Sequence, residues 1–231
     1  MRMGKDMSTV SLNGASGYLV RAKTQRAGVV LLPTIFGVNP FVRDYAAALA
    51  ADGISTLIWD IYPGEALPQG FDESRARAGK LQDPVALKAM TACVDFLKTE
   101  LKIEHVGTIG FCLGGRFVFL LAARDRRIEA CAAVYPSIRE PRPANQPDDA
   151  VAIAGDVPCP VQLLYPGRDN VTSNDTFFRL QQSLQRRKAP TIVQYYPEAD
   201  HGFMHNEGAA NAVADRLARP QVSAFLAACL G

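Results

Sequence analysis

The sequence is poor in the residues on which metal sites and disulfide frameworks depend. Of its 231 residues, only three are histidine and five are cysteine. The cysteines lie far apart and form no C-x-x-C pair; they are Cys93, Cys112, Cys131, Cys159 and Cys229. Their odd number and their spacing argue against a disulfide framework and against a zinc ribbon. We therefore expect free thiols, no metal and no cofactor.

Long apolar runs and an excess of one charge are also missing. No segment reaches the roughly 18 consecutive apolar residues that a membrane-spanning helix needs. The first ten residues contain no apolar run typical of a secretory signal. Lys and Arg number 25 and Asp and Glu 23, a formal net charge of +2, so no basic excess is available to contact phosphates. We predict a cytoplasmic monomer or small homo-oligomer that binds neither nucleic acid nor membrane.

Short apolar runs alternate with helical patterns along most of the chain. The runs lack polar alternation and are bounded by Gly, Pro or Asp, which is typical of strands buried on both faces. The predicted strands are Gly28–Pro33, Ile54–Asp60, Val106–Phe111, Ala130–Tyr135, Val161–Tyr165 and Ile192–Tyr196. The predicted helices are Val42–Ala51, Pro84–Thr99, Leu113–Ala123, Asp175–Arg187 and Ala209–Ala228. This alternation predicts a mostly parallel α/β sheet with helices on both faces, in one domain over residues 1–231.

Two segments lie outside this alternation. Near the N-terminus, Met7–Leu12 and Tyr18–Lys23 flank Asn13-Gly14, which predicts a β-hairpin. Further along, Pro136–Pro160 holds six of the 15 prolines. This segment is either a surface connection around the sheet edge or a lid over a site. Because Pro-rich loops usually serve as connections, we predict the former.

One predicted strand leads directly into a glycine-rich turn that contains a cysteine. Val106–Phe111 ends in Gly110-Phe111-Cys112-Leu113-Gly114-Gly115, and a predicted helix follows. This is the pattern of a nucleophile elbow, in which a sharp strand-to-helix turn lifts the central side chain above the sheet edge. The helix N-terminus favours the thiolate over the thiol. We therefore predict Cys112 as a nucleophile.

Two other interpretations of this turn compete with the nucleophile elbow. A phosphate-binding loop has similar glycine spacing, but it continues with Lys and then Ser or Thr, where this chain has Arg116-Phe117. A buried cysteine that only packs is the commoner role of this residue in general. The strand before Cys112 and the helix after it favour the nucleophile, whereas the other four cysteines lack that context and are predicted to pack.

A nucleophilic cysteine needs a histidine within reach. His105 opens the strand that leads to Cys112, so we expect it at the opposite end of the sheet, roughly 23 Å away. His201 and His205 follow the last predicted strand, at the same edge as Cys112. Their i, i+4 spacing resembles a zinc motif, but that motif requires Glu where this chain has Gly202. The base is therefore His201 or His205, and a metal site is disfavoured.

The acid that would orient this base is predicted from chain order and position. In α/β-hydrolases the order along the chain is nucleophile, acid, histidine. Asp169 lies just past the carboxyl end of a predicted strand and fits this order, although it is equally a typical turn residue after Gly167. Asp175 is the second candidate, but we expect it to cap the next helix. Asp200 lies too close to His201 in sequence to turn onto it.

Together these segments resemble the dienelactone hydrolase family of α/β-hydrolases. The resemblance runs from about Gly28 to the last helix. Four segments carry it: Pro33-Thr34-Ile35-Phe36-Gly37-Val38-Asn39, Gly110-Phe111-Cys112-Leu113-Gly114-Gly115, Gly167-Arg168-Asp169 and Glu198-Ala199-Asp200-His201-Gly202-Phe203. The resemblance implies an α/β-hydrolase fold and hydrolysis of a small ester or lactone, as in carboxymethylenebutenolidases, without a cofactor.

The resemblance also implies roles for particular residues. Cys112 would attack the substrate carbonyl and form a thioester, with His201 as the base and Asp169 orienting it. The backbone N–H groups of Leu113 and Ile35 would form the oxyanion hole. The implied substrate-binding residues are Thr34, Phe36, Arg75, Phe203 and His205.

Three positions depart from the family pattern. Members active on dienelactone carry Glu where this chain has Thr34, and that Glu acts in thiolate formation. They carry a second arginine where this chain has His205, a weaker and pH-dependent cation, and a proline where it has Trp59. Because Thr34 replaces the family Glu, the alternative to the hydrolase is a non-hydrolytic or acyl-transferring relative on the same fold with altered thiol activation.

Overall fold

An eight-stranded sheet with helices against it makes up the computed structural model, which describes residues 7–23 and 26–231. The strands are β1 Met7–Leu12, β2 Ala15–Val20, β3 Ala27–Leu32, β4 Ile54–Trp59, β5 His105–Phe111, β6 Ile128–Val134, β7 Val161–Arg168 and β8 Thr191–Asp200. The helices are α1 Pro40–Ala51, α2 Gly70–Ala78, α3 Asp83–Asp95, α4 Leu113–Arg124, α5 Ala150–Ile153, α6 Asn174–Gln185 and α7 Ala209–Leu230. Residues 1–6, which belong to the N-terminal segment in which no secretory signal is predicted, lie outside the described residues.

The strand order brings the carboxyl ends of six strands to one edge of the sheet. The order is β1-β2-β4-β3-β5-β6-β7-β8. The hairpin β1–β2 and the pair β2–β4 are antiparallel, and all pairs from β4 to β8 are parallel. The predicted mostly parallel α/β sheet is therefore confirmed. Loops that leave β3, β5, β7 and β8 meet above this edge, which is where such sheets bind ligands.

Apolar layers cover both faces of the sheet, as the unbroken apolar runs indicate. Helices α1 and α7 pack on one face, and α3, α4, α5 and α6 pack on the other. Within β3, Val29 and Leu31 face the first layer while Val30 and Leu32 face the second, and all four are fully buried. A central strand of this kind has no solvent-facing side, so its sequence has no polar alternation.

Three local predictions are wrong in detail. Strand β2 begins at Ala15, directly after the two-residue turn, so it starts three residues before the predicted bound. Helix α2 has no counterpart among the predicted helices, because it is mostly polar and follows a segment rich in Gly and Pro. Helix α6 is capped by Ser173, whose hydroxyl accepts a hydrogen bond from the Thr176 N–H at 3.1 Å, and not by Asp175.

The connection Pro136–Pro160 is more than the predicted surface loop. It contains α5 and a short 3-10 turn, Ala154–Asp156, and both pack against α6. Its first residues, Pro136, Ser137 and Ile138, are buried, and residues 137 and 139–141 line a cavity at the sheet edge. Part of this segment is therefore a wall of that cavity.

A buried ion pair ties this connection to the helix that follows Cys112. The guanidinium of Arg116, on the second turn of α4, donates two hydrogen bonds of 2.7 Å to Asp83, the first residue of α3. Arg116 also donates to the carbonyl oxygen of Asp148, and the Asp148 N–H donates to Asp83. Asp83 is fully buried and Arg116 is 2% exposed. One ion pair thus joins α3, α4 and the Pro-rich connection.

Replacing Arg116 alone should be strongly destabilising. Arg116→Met leaves the Asp83 carboxylate buried without a counter-charge, and we expect it to lower the free energy of unfolding by about 3–5 kcal/mol. The double variant Asp83→Asn with Arg116→Met removes the unpaired charge and keeps an acceptor for Asp148, so it should regain part of this loss. Urea unfolding of the three proteins measures both effects. Equal stability of the single variant and the parent would contradict the assignment.

Candidate active site

The turn between β5 and α4 holds Cys112 in a strained backbone conformation. Cys112 has φ 54° and ψ −115°, a region that L-residues with a side chain rarely adopt. The flanking glycines explain how the chain can make this turn. A Cβ on Gly110 would lie 2.2 Å from the carbonyl oxygen of Gly114, and a Cβ on Gly114 would lie 2.0 Å from that of Leu32. Three backbone segments meet here too closely for side chains.

Hydrogen bonds from three directions hold Cys112 in this conformation. Its N–H donates to the carbonyl oxygen of Val134 at the end of β6, at 3.1 Å. Its own carbonyl oxygen accepts from Ser137 at 2.8 Å and from the Arg116 N–H at 3.2 Å. Cys112 is also the N-cap residue of α4, where the helix dipole stabilises negative charge. The backbone therefore presents the sulfur at a site that favours the thiolate.

Asp169 and His201 are neighbours because of the register of two parallel strands. Arg168 at the end of β7 pairs with Asp200 at the end of β8, so the next residue of each strand is Asp169 and His201. Nδ1 of His201 lies 2.8 Å from Oδ2 of Asp169, whose side chain is fully buried. The sequence interpretation of Asp169 as a turn residue is correct as well, because its Oδ1 accepts from the backbone N–H groups of residues 171 and 172.

The imidazole of His201 is held in its protonated form. Burial alone would lower its pKa, but the negative charge on Cys112 and the hydrogen bond to Asp169 outweigh burial and raise the pKa to about 10. Nε2 of His201 is buried and makes no hydrogen bond within the described residues. The arrangement, an imidazole between a thiol at a helix N-terminus and a buried carboxylate, can support a thiolate–imidazolium pair.

Two backbone N–H groups near Cys112 remain without an acceptor. Leu113 is the first residue of α4, so its N–H has no partner inside the helix. Ile35 lies in a tight turn after β3, in which the N–H groups of Phe36 and Gly37 both donate to Thr34. Within the described residues neither Leu113 nor Ile35 donates a backbone hydrogen bond. Both N–H groups are available to a ligand.

A cavity of about 710 Å³ opens above the sheet edge and contains most of the predicted site residues. Those that line it are Thr34, Ile35, Phe36, Arg75, Cys112, His201 and His205. Asp169 lies behind His201, and Leu113 borders a smaller adjoining cavity. Phe203, which the resemblance implies as a substrate-binding residue, differs from that expectation. It is 1% exposed, packs against Tyr135 and Tyr196, and lines neither cavity. Its place in the core gives it no surface for a substrate.

His205 also differs from its expected character. Burial, together with the positive charges on His201 and Arg219, lowers its pKa to about 4, so it is neutral at neutral pH rather than a weak cation. Its ring lies 4.9 Å from that of Phe41, and Nδ1 is 3.3 Å from the hydroxyl of Tyr135. His205 therefore supplies a neutral polar wall and not a charge for binding an anion.

Several cavity residues were beyond the reach of sequence patterns. Phe71 lies on α2, a helix that the sequence pattern does not predict, whereas Arg75 on the same helix is implied by the family resemblance. Ser137 and Arg139 belong to the Pro-rich connection, and nothing in their local sequence marks them. Tyr135 lines neither cavity but packs on His201 and has φ 36°. It is the last residue of the predicted strand Ala130–Tyr135 and lies one residue past the end of β6.

The remaining candidates for metal or nucleophilic chemistry lie elsewhere or are buried. His105 opens β5, at the opposite end from Cys112, and its Nδ1 is 2.7 Å from Glu129. Cys93, Cys131 and Cys159 are buried and Cys229 is partly buried, and all five thiols are free. Within residues 7–23 and 26–231, no group of three or more His, Cys, Asp or Glu side chains could hold a metal ion. No helix in this part of the chain is long and apolar enough to span a bilayer.

Stability at acidic pH should depend on His205. Its pKa is 6.5 when unfolded and about 4 when folded, so between these values the unfolded chain binds more protons and stability falls as the pH falls. Between about pH 7 and pH 5, this linkage amounts to about 2 kcal/mol. His205→Asn should flatten the loss by that amount in urea unfolding at the two pH values. Parallel losses in the variant and the parent would contradict the assignment.

Comparison with known proteins shows which family the sequence resembles. The sequence model of the Dienelactone hydrolase family matches residues 15–230. A carboxymethylenebutenolidase of Rhodococcus opacus is 32% identical over 182 residues, covering 76% of this chain and 69% of that protein. A protein of Escherichia coli (strain K12) named as a possible carboxymethylenebutenolidase is 28% identical over 189 residues, covering 76% of this chain and 66% of that protein. The match thus spans about two thirds of the length of these relatives.

A solved structure supports the same comparison at the level of the fold. A crystal structure described as a dienelactone hydrolase, from Klebsiella pneumoniae, superposes with a TM-score of 0.85 and 24% identity, covering 96% of this chain and 98% of that one. This match confirms the predicted α/β-hydrolase fold.

Proposed function

The chain belongs to the dienelactone hydrolase family, and from this premise we propose that it hydrolyses a small ester or lactone with Cys112 as the nucleophile. The observation that carries the proposal is the convergence of three groups at one sheet edge. The groups are the thiol of Cys112 on a strained turn, the imidazole of His201 with its raised pKa, and the buried carboxylate of Asp169, 2.8 Å from that imidazole. Together they provide the nucleophile, the base and the orienting acid that acyl transfer needs.

The first half of the reaction forms a thioester. The Cys112 thiolate adds to the carbonyl carbon, and the carbonyl oxygen takes up the negative charge between the N–H groups of Leu113 and Ile35. Each such donor is typically worth about 2.7–4 kcal/mol in the transition state. The tetrahedral intermediate then collapses, the bond to the alcohol oxygen breaks, and Nε2 of His201 gives its proton to that oxygen. Asp169 keeps the ring oriented while its charge changes.

The second half releases the acid. His201 is now neutral and takes a proton from water, whose oxygen adds to the thioester carbon. The same two N–H groups stabilise the second oxyanion. Collapse expels the Cys112 thiolate and His201 becomes cationic again, which restores the resting ion pair. The reaction consumes one water and needs no cofactor.

The ion pair also explains how the chain can do without the family's glutamate. Thr34 cannot take a proton as a carboxylate does, and its hydroxyl accepts a hydrogen bond from the Phe36 N–H at 3.2 Å. Activation of the thiol therefore falls to His201 and to the N-terminus of α4.

Thr34, Phe36, Arg75 and His205 form the proposed substrate contacts, since all four line the cavity. The five free thiols support a reducing, cytoplasmic location.

Removing the sulfur should abolish turnover. Cys112→Ala should lower kcat/KM for an activated aryl ester by about 10³-fold or more, because no nucleophile remains to form the acyl-enzyme. Release of nitrophenol measures the rate, and circular dichroism verifies the fold. Cys229→Ala is the matched control and should keep its activity, since Cys229 lies at the far end of α7. Undiminished turnover in Cys112→Ala would overturn the proposal.

Alkylation tests whether the thiol is activated as proposed or inert, as in a non-hydrolytic relative. Iodoacetamide should modify Cys112 rapidly and selectively at pH 7, because the cationic His201 and the N-terminus of α4 stabilise the thiolate. In His201→Ala the rate near pH 7 should fall about tenfold or more. Mass spectrometry locates the label, with His105→Ala as the control. Slow alkylation of the parent protein would favour the inert thiol.

The products separate hydrolysis from acyl transfer. Stoichiometric release of free acid and alcohol in water alone supports hydrolysis. Turnover that requires an added alcohol or thiol as acyl acceptor would instead support the transferring relative.

A further inference from the structure

Two buried cysteines lie side by side within the sheet, away from the active site. The Sγ atoms of Cys131 and Cys159 are 4.0 Å apart. Cys131 lies in β6, and its N–H donates to the carbonyl oxygen of Pro160 at 3.0 Å, so the residue before Pro160 is held next to this strand. Both side chains belong to the layer of α3, α4, α5 and α6. The two thiols therefore form a dithiol pair, although they lie 28 positions apart in the chain.

The backbone around Cys159 is held by its neighbours. Prolines stand on both sides, at positions 158 and 160, and restrict this segment to extended conformations. The guanidinium of Arg187, just after α6, donates hydrogen bonds of 2.8 Å to the carbonyl oxygens of Val157 and Cys159. It also donates to the hydroxyl of Thr191 at 2.6 Å. The segment that carries Cys159 is therefore anchored beside β6, and little further ordering is needed to bring the two sulfurs together.

The two thiols differ in exposure and in acidity. Cys159 is 6% exposed, whereas Cys131 is fully buried. The hydrogen bond between the thiols and the positive charge of Arg187 lower the pKa of Cys159, although burial and the negative charge of Glu129 oppose both. The same hydrogen bond and burial raise the pKa of Cys131 well above its usual value. Cys159 is therefore the thiol that ionises first and that a small solute reaches first.

The other three thiols are separated from this pair. The Cys112 N–H donates to Val134, which lies three residues after Cys131 and roughly 10 Å along β6, whereas a disulfide needs Cα atoms within about 7 Å. Cys229 packs in the layer of α1 and α7, on the other face of the sheet. Cys93 lies on α3, which packs against β2 and β4 in the other half of the sheet. Cys131 and Cys159 are therefore the matched partners.

We propose that the dithiol pair is a redox-active site, at which a hydroperoxide converts Cys131 and Cys159 reversibly into a disulfide. The Cys159 thiolate attacks one peroxide oxygen and becomes a sulfenic acid; the O–O bond breaks, and the other oxygen leaves and takes a proton from solvent. The Cys131 sulfur then attacks the Cys159 sulfur. The S–S bond forms, the S–O bond breaks, and the oxygen leaves as water with the Cys131 proton. Two electrons pass from the two thiols to one hydroperoxide, and a dithiol reductant reverses the change.

The disulfide would close a loop that contains part of the cavity wall. The chain between the two cysteines includes most of the Pro-rich connection, of which residues 137 and 139–141 line the main cavity. A covalent link between the ends of this loop restricts the unfolded chain more than the folded one. The oxidised protein should therefore be more stable than the reduced protein, with the same fold.

The inference is tested in Cys112→Ala, a full-length chain in which the active-site thiol cannot react. Of the four thiols that remain, hydrogen peroxide should leave two titratable after unfolding. Tryptic digestion without reductant should yield a linked pair of peptides, residues 128–139 and 140–168, which dithiothreitol separates. The midpoint of thermal unfolding should rise by about 5–10 °C on oxidation and return on reduction.

Further substitutions in this variant assign the two roles. Cys131→Ala removes the second thiol, so dimedone should trap a sulfenic acid on Cys159, whereas Cys159→Ala should leave Cys131 unmodified. Arg187→Gln should slow disulfide formation about tenfold, because the Cys159 thiolate loses its counter-charge. Arg186→Gln, at the exposed neighbouring position, is the matched control and should leave the rate unchanged. Cys229→Ala should still form the link.

Three results would overturn the inference. They are four titratable thiols after peroxide treatment, a link that includes Cys93 or Cys229, and oxidation of Cys159 beyond the sulfenic acid while Cys131 stays free. All these measurements are made without Cys112 and without substrate. Their outcome is therefore independent of the tests of the hydrolase proposal.

Discussion

The strained backbone of Cys112 is the constraint on which the rest of the structure depends. A φ of 54° at a residue with a side chain costs free energy, roughly 1–3 kcal/mol, and persists only where the surroundings enforce it. Here β5, α4 and the carbonyl of Leu32 approach so closely that Gly110 and Gly114 have no room for a Cβ. The Arg116–Asp83 ion pair ties α4 to α3. Close backbone contacts and this ion pair together hold the turn at Cys112 in its strained conformation.

The acid and the base are positioned by a different device, the pairing of two parallel strands. A register shift between residues 166 and 168 lets β8 run four residues while β7 runs two, which brings Asp169 and His201 level. Gly167 allows this, since a Cβ there would lie 2.4 Å from the carbonyl oxygen of Pro197. The Asp169 carboxylate is buried but accepts three hydrogen bonds, so the cost of its desolvation is offset.

These two devices explain which parts of the molecule the sequence could predict. Buried strands, the elbow glycines and the chain order of Cys112, Asp169 and His201 follow from local patterns, because each is dictated by the sheet. Helix α2 escapes such patterns since it is mostly polar and is held by tertiary contacts, such as the Tyr62 hydroxyl on the Ser74 carbonyl. The family resemblance implies Phe203 as a substrate-binding residue, but its side chain is buried in the core.

The residues that would carry out the reaction and those that would select the substrate lie in different parts of the fold. The groups that would carry out bond making lie on the sheet edge, where register and backbone strain leave little freedom. The cavity wall that would select a substrate is formed in part by α2 and by the Pro-rich connection, which supply Arg75 and Arg139. A specificity built in this way is set by the parts of the chain whose structure local sequence predicts least well.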